Sequence, residues 1–296
     1  MKVLVLGGTG VIGKQIVSSL ISSSVSVTAV SRGIISNEKN SSKATFVNID
    51  LVRASEDQLF TLVSDFDYVI NAAGVIKQRI SSSDISTQIE AINLNTMLPI
   101  RLAALIPRIP IKIINITTDC VFDGFQGNYD ESDSHSALDI YGKSKSLGEV
   151  EAQNVFNLRC SVIGPDSTPL SLAGWIVHQE LNAKITGYVN HFWNGITTYS
   201  LSKILLGIIQ SGFWKSGTNH LVPANSWTKF QLVQELVQVS NRQDLSLVEG
   251  LADQEVNRIL RTINSEQNSL LWNLGGYSQC PSIDELFQEP LFRSAF

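Results

Sequence analysis

Along the first half of the chain, short β-branched and aliphatic runs alternate with stretches whose apolar positions recur at helical spacing. Lys2 to Leu6 (KVLVL) has the continuous apolar character of a strand buried on both faces. After a glycine-rich turn, Lys14 to Ile21 carries Ile16, Val17, Leu20 and Ile21 on one helical face. Val25 to Val30, Ala44 to Ile49, Tyr68 to Ile70 and Ile111 to Ile116 read as further strands. Asp57 to Ser64 and Ser83 to Ile106 read as helices, the second closed by Pro107 and Pro110. This alternation predicts an α/β fold, a doubly wound parallel sheet.

The order loosens after Gly164-Pro165. Leu172 to Leu181 reads as an amphipathic helix, and Leu201 to Ile209 as another that returns to the first domain. Thr218 to Val222, Thr228 to Val239 and Leu245 to Val248 give strand, helix and strand, and Pro281 to Phe287 a last short helix. Between them, Thr186 to Tyr199 is rich in aromatics and amides; Phe192 and Trp193 suit either stacking on a sugar or base, or ordinary interface core.

Composition narrows the class. A chain of 296 residues, 43% hydrophobic, can bury one large or two modest cores. Net charge is -5 with no Lys/Arg run, which argues against nucleic acid or a polybasic membrane surface as partner. Cys120, Cys160 and Cys280 are odd in number and far apart, so a reduced, cytoplasmic setting fits better than a disulfide framework or a zinc cluster. His135, His178, His191 and His220 have no ligand spacing, and no metal site is expected. The apolar run Val3 to Leu6 is too short for a signal or membrane helix.

The chemistry concentrates in two places. Gly7-Gly8-Thr9-Gly10-Val11-Ile12-Gly13 lies between strand and helix, the context that gives a glycine motif meaning. Glycines allow a tight turn and close approach of a pyrophosphate, and the helix N-terminus at Val11 and Ile12 then faces the phosphates. Registers Gly7/Gly10/Gly13 and Gly8/Gly10/Gly13 both fit. The acidic residue that grips a ribose 2'-hydroxyl is missing after the second strand, where Arg32 stands instead; a guanidinium suits a 2'-phosphate, so NADP is expected, with NAD the alternative. Asp50 and Leu51 end the third strand beside the expected adenine position, and Asn71-Ala72-Ala73-Gly74 forms a small-residue turn against which a cofactor can lie.

The second place is Thr117 to Lys145, emerging from the carboxyl end of a strand, where open α/β sheets bind ligands. Tyr141 and Lys145 stand four apart, so a helix starting there puts phenol and ammonium on one face. A neighbouring cation favours the phenolate and makes proton transfer feasible near neutral pH. Thr118 supplies a second hydrogen bond to the same oxygen. On spacing alone, Tyr-x-x-x-Lys is more often an exposed pair on a solvated helix; its place downstream of the glycine turn is what singles it out. Cys120 reads as packing rather than nucleophile, with no histidine near it in sequence.

Taken together, GGTGVIG at 7–13, NAAG at 71–74, TTDCVFDG at 117–124, YGKSKSLGE at 141–149 and NLRCSVIGPD at 157–166 resemble the extended short-chain dehydrogenase/reductases, and among them the dTDP-4-dehydrorhamnose reductase branch. The resemblance covers roughly the first 165 residues. It implies a Rossmann domain, residues 1–165 with 187–215, and a smaller, discontinuous α/β substrate-binding domain, residues 166–186 and 216–296. It also implies NAD(P)H-dependent reduction of a 4-keto nucleotide-linked deoxysugar for cell-surface polysaccharide, with Tyr141 as proton donor and Lys145 tuning it and holding the nicotinamide ribose. Thr118 then bonds the reacting carbonyl, Asp119 is the carboxylate that follows it, and Asn93 is a structural asparagine near the cofactor. Cys120 departs from the branch's usual tyrosine. Nucleotide-sugar 4,6-dehydratases carry a glutamate after Thr-Asp, which this chain lacks. A nucleotide-sugar epimerase and a non-catalytic cofactor-binding regulatory subunit are the alternatives, and a homodimer is the base-rate expectation.

Overall fold

The structure, a computed structural model, describes residues 1–23, 25–33 and 44–296. Its first half runs β1 (Lys2–Leu6), α1 (Val11–Ile21), β2 (Ser26–Ser31), β3 (Ala44–Asn48), α2 (Glu56–Val63), β4 (Tyr68–Asn71), α3 (Ile85–Ile92), α4 (Leu98–Leu105), β5 (Lys112–Thr117), α5 (Ile140–Leu147) and β6 (Val155–Arg159). The second half runs β7 (Val162–Ile163), α6 (Leu172–Val177), β8 (Lys184–Tyr188), β9 (His191–Trp193), β10 (Ile196–Thr197), α7 (Thr198–Ser211), β11 (Gly217–His220), β12 (Trp227–Thr228), α8 (Lys229–Val239), β13 (Ser246–Gly250), β14 (Val256–Asn257), α9 (Ser265–Leu274), α10 (Ile283–Phe287) and α11 (Pro290–Arg293).

The main sheet is seven-stranded, in the order β11-β6-β5-β4-β1-β2-β3, and every pairing in it is parallel. Period-two alternation divides its side chains between two cores. Val3 and Val5 face one core with Ile16 and Leu20 of α1 and Ile204 and Ile208 of α7. Leu4 and Leu6 face the other with Leu59 of α2 and Leu98 and Leu102 of α4. A third core gathers Trp193, Trp227, Leu232, Leu236, Ile283 and Phe287 in the smaller layer, where β9 pairs with β12 and β14, and β8 with β13.

Elements divide differently from the expected boundaries. Gly217–His220, expected in the smaller domain, is the edge strand β11 of the main sheet. Its polar sequence GTNH hides this, because it is held by the ladder and by Thr218 Oγ1, which accepts from Asn157 Nδ2 at 3.3 Å, rather than by an apolar stripe. Leu271 and Trp272 of α9 likewise join the core of β1 and α7. Conversely β9, within the 187–215 stretch expected in the Rossmann domain, pairs only with strands of the smaller layer.

Candidate active site

Strand order reverses between β1 and β4, and there, outside the carboxyl ends of the strands, lies a cavity of about 550 Å³. Gly7, Gly10, Val11, Ile12, Arg32, Leu51, Ala72, Ala73 and Gly74 all line it. The glycine register resolves to Gly7/Gly10/Gly13. Gly7 has φ +76° and passes so close to Ala73 that an added Cβ would lie 2.8 Å from its Cα. A Cβ on Gly13 would lie 2.1 Å from Gly7 O, so this residue sets helix–turn packing beneath the cavity rather than lining it. Gly8 instead abuts Ala29 Cβ. Gly10 is the N-cap of α1 without a side-chain cap, and no acidic residue occupies the first turn, leaving the N–H groups of an eleven-residue helix for an anion. These features fit a dinucleotide pyrophosphate.

The opposite wall was not anticipated. Val162, Gly164, Pro165, Asp166, Thr168 and Ser171 close the cavity from the end of β7 to the start of α6. Asp166 Oδ1 accepts from Thr168 N and Oγ1, both at 2.9 Å, and Gly174 N donates to Ser171 Oγ at 3.1 Å, so this loop is internally braced. Gly164-Pro165, read as a boundary and as the end of the NLRCSVIGPD motif, was the available signal.

The Thr117–Lys145 stretch forms the adjoining wall. Thr118 follows β5 and caps a short 3-10 turn, Asp119–Val121: its Oγ1 accepts from Cys120 N at 3.2 Å and donates to Asp119 Oδ1 at 3.0 Å. Asp139 caps α5 by accepting from Gly142 N at 2.8 Å and pairs with Lys77 at 2.7 Å. A Cβ on Gly142 would lie 2.2 Å from Cys120 O, so α5 is pressed against the Thr118 turn and Tyr141 comes next to Thr118. Lys145 Nζ donates to Ile116 O at 3.3 Å and sits by Gly74, where an added Cβ would lie 3.3 Å from it. Gly74 thus joins the cavity to the Tyr/Lys pair.

Electrostatics refine the expected roles. Burial first, then the Asp119 and Asp139 charges, push the Tyr141 phenol above its ordinary range, with the Thr118 hydroxyl opposing. Burial lowers Lys145 to about 8 despite Glu149 and Cys160, which still leaves it mostly cationic at neutral pH. The phenol is therefore a neutral acid, the form a proton donor needs.

Asn93 is half-buried, off the cavity wall, and makes no side-chain hydrogen bond among the described residues. The buried asparagine is Asn95. Its Oδ1 accepts from Val75 N at 2.9 Å, and its Nδ2 donates to Val75 O at 3.0 Å and Ser144 Oγ at 3.1 Å; Thr96 Oγ1 donates to Ser144 O at 2.7 Å. These bonds tie the Ala72–Gly74 turn to α5. The helix is π-wound over Asn93–Met97 because Pro99 has no N–H for the Asn95 carbonyl. Asp50 is off the wall too: Oδ1 accepts from Val52 N at 3.0 Å and Oδ2 lies 3.6 Å from Arg53. Arg32 is on the wall but paired with Glu90 of α3, a carboxylate the sequence did not single out.

A crossed sheet of this order, a glycine turn into α1, and Tyr141 and Lys145 beside the crevice define an extended short-chain dehydrogenase/reductase. The chain belongs to the RmlD substrate-binding-domain family, whose model matches residues 1–271. A curated relative, the dTDP-4-dehydrorhamnose reductase of Aggregatibacter actinomycetemcomitans, is 32% identical over 107 residues, a match that covers only 35% of each chain. Among solved structures, a dTDP-4-dehydrorhamnose reductase from Clostridium acetobutylicum ATCC 824 aligns with TM-score 0.73 and 20% identity over 98% of both chains. The dTDP-4-dehydrorhamnose reductase of Bacillus anthracis str. Ames, in complex with NADP, aligns at 0.71 and 18% over 97% of both. A UDP-glucuronic acid 4-epimerase from Bacillus cereus, in complex with NAD, aligns at 0.73 and 17% over 97% of both.

Proposed function

We propose that the chain reduces the 4-keto group of a nucleotide-linked deoxysugar with NADPH, as a step of cell-surface polysaccharide synthesis. The observation that carries this reading is Tyr141 beside Thr118, with Lys145 of the same helix against Gly74 on the rim of a cavity fitted to a dinucleotide. Reduced nicotinamide, when bound, supplies the hydride. Gly7, Gly10, Val11 and Ile12 would hold its pyrophosphate, and Lys145 its ribose. The Thr118 hydroxyl turns from Asp119 to the carbonyl oxygen, and Tyr141 gives that oxygen its proton as negative charge develops there. Lys145 then offsets the charge left on the phenol.

Elimination chemistry is disfavoured at the residue after Thr118-Asp119. Burial, then the Asp119 charge, pushes the Cys120 thiol up to about 12, so it neither donates nor accepts a proton readily at neutral pH. Names of family relatives support the 4-keto reductase reading, and three free thiols support a cytoplasmic setting. Consumption of NADPH that depends on one 4-keto nucleotide sugar tests the function. Cofactor binding without consumption over a sugar panel would reject it.

Arg32 carries the cofactor preference. Removing one charge-assisted contact to a 2'-phosphate costs about 1.5–3 kcal/mol. Arg32→Ala is expected to lower the NADPH-over-NADH ratio of kcat/KM by about 10–100-fold. An unchanged ratio would assign Arg32 to its Glu90 pair alone.

Assembly follows from an uncovered stripe. Ile85, Ile89 and Ile92 lie on one face of α3, each at least 46% exposed, and α3 packs beside α5, whose Leu147 is 68% exposed. A two-fold partner covering this face gives a homodimer. Ile89→Glu with Ile92→Glu is expected to sediment as a monomer where the parent sediments as a dimer; a monomeric parent at micromolar concentration would remove the assembly.

A further inference from the structure

Lys229 lies in the smaller layer, within electrostatic reach of Asp119. It begins α8, directly after β12, whose Trp227 and Thr228 pair with Trp193 and Phe192 of β9. Its Nζ lies 5.6 Å from the centre of the Trp193 ring, and Trp193 Nε1 donates to Ser161 Oγ at 2.9 Å, which pins the indole to the end of β6. Asp119 and Arg258 are the charged groups that act on it, with the neutral Cys120 thiol beside them. Arg258 is fixed on the same side of the cleft, with Nε donating to Phe122 O at 2.8 Å and Nη2 to Asp123 O at 3.1 Å.

Among the described residues, neither Lys229 nor Arg258 enters an ion pair. Two cations thus act near the Thr118 turn, where Asp119 bears on Lys229 and Asp139 on Arg258, and Asp119 already accepts the Thr118 hydroxyl. Lys229 is also placed against the dipole of its own helix, since a cation in a first turn is repelled by the free N–H groups there. Lys229 is half-buried, and a half-buried ammonium without an ion-pair partner is stabilised by an anion that arrives beside it. Lys229 stands at the N-terminus of the eleven-residue α8, which Thr228 caps by accepting from Gln231 N at 3.2 Å.

We propose that Lys229, backed by Arg258, is a specificity-determining cation that takes an anionic oxygen of the nucleotide sugar, contributed either by its diphosphate or by a carboxylate on the sugar. This rests on the nucleotide-sugar reading above. It assigns Lys229 to substrate selection and leaves the proton with Tyr141.

Binding separates the two sources without needing turnover. Dissociation constants for dTDP, UDP-glucose and UDP-glucuronate are measured by calorimetry on the NADPH-loaded protein, on Lys229→Met and on Lys229→Arg. If the diphosphate is the ligand, Lys229→Met weakens all three by about tenfold or more. If a sugar carboxylate is the ligand, only UDP-glucuronate weakens by that factor. In either case Lys229→Arg retains most of the affinity. Unchanged constants in a Lys229→Met protein with the parent melting temperature overturn the proposal, as does a cofactor-loaded parent that binds none of the three. Lys229-dependent anion binding with no reduction of any keto sugar would instead retire the reductase reading and keep this one.

Discussion

Tyr141→Phe is expected to lower keto-sugar turnover by about 10²–10⁴-fold, the range for loss of a positioned general acid, while the affinity for NADPH stays near that of the parent. The ring is retained, so the seating of α5 on the Thr118 turn through Gly142 should persist. Only the proton is lost. Because the phenol is held neutral by burial and nearby negative charge, the acid limb of the parent's pH profile should not report its ionisation. An alkaline limb should report Lys145 instead: its charge disappears as pH rises through about 8, and turnover should fall with it. Full turnover by Tyr141→Phe would remove Tyr141 from the chemistry.

The second large effect is on stability. Arg159, at the end of β6, and Glu149, just beyond α5, form a buried ion pair, with Arg159 Nε donating to Glu149 Oε1 at 2.9 Å. Arg159 also contacts the His135 and His220 rings, at 2.7 and 2.6 Å, and lies over the Phe122 ring at 5.1 Å. Breaking such a pair from one side strands the other charge, at about 3–5 kcal/mol. Arg159→Met is therefore expected to lower the melting temperature by on the order of 10 °C. Glu149→Gln in the same chain should return part of the loss. A drop equivalent to less than about 1 kcal/mol would place this pair with weak surface bridges.

Acid should act on the same cluster. Burial alone would raise the Glu149 carboxyl, but His135, Arg159 and Thr117 outweigh it and hold it at about 2 against 4.5 for an ordinary glutamate. The stability it contributes is complete above 4.5 and drains away as pH falls toward 2. Burial, then Arg159, keeps His220 below its ordinary 6.5, so its contribution is already lost progressively as pH falls below that value.

What the sequence revealed follows from range. Strand, Gly7–Gly13 turn and α1 are contiguous, and their chemistry is local, so their pattern carried them into the fold intact. Thr118, Tyr141 and Lys145 were legible because one strand end and one helix turn suffice to place them. Asn95 was not separable from Asn93 by helical spacing. Only the consequence of Pro99, four residues on, shifts the helix so that Asn95 turns inward. An amide ladder was equally silent: Asn71 Nδ2 donates to Asn115 Oδ1 at 2.9 Å and Asn115 Nδ2 to Asn157 Oδ1 at 3.0 Å, across three strands whose register no single segment encodes. Asn115 Nδ2 also donates to Gly148 O at 3.0 Å, which seats the far end of α5. Lys229 lay hidden for the same reason, since its place over Trp193 depends on the pairing of β9 with β12.

Isotope transfer tests the central claim most directly. The protein is incubated with each 4-keto nucleotide sugar and NADPH deuterated at nicotinamide C4, in either stereochemistry, and the sugar product is analysed by mass spectrometry and NMR. Reduction predicts that one label, from one face only, appears at sugar C4 with stoichiometric NADP formation. Product formed without deuterium at C4 and without net NADPH loss would contradict it and assign the Tyr141–Lys145 site to an epimerase.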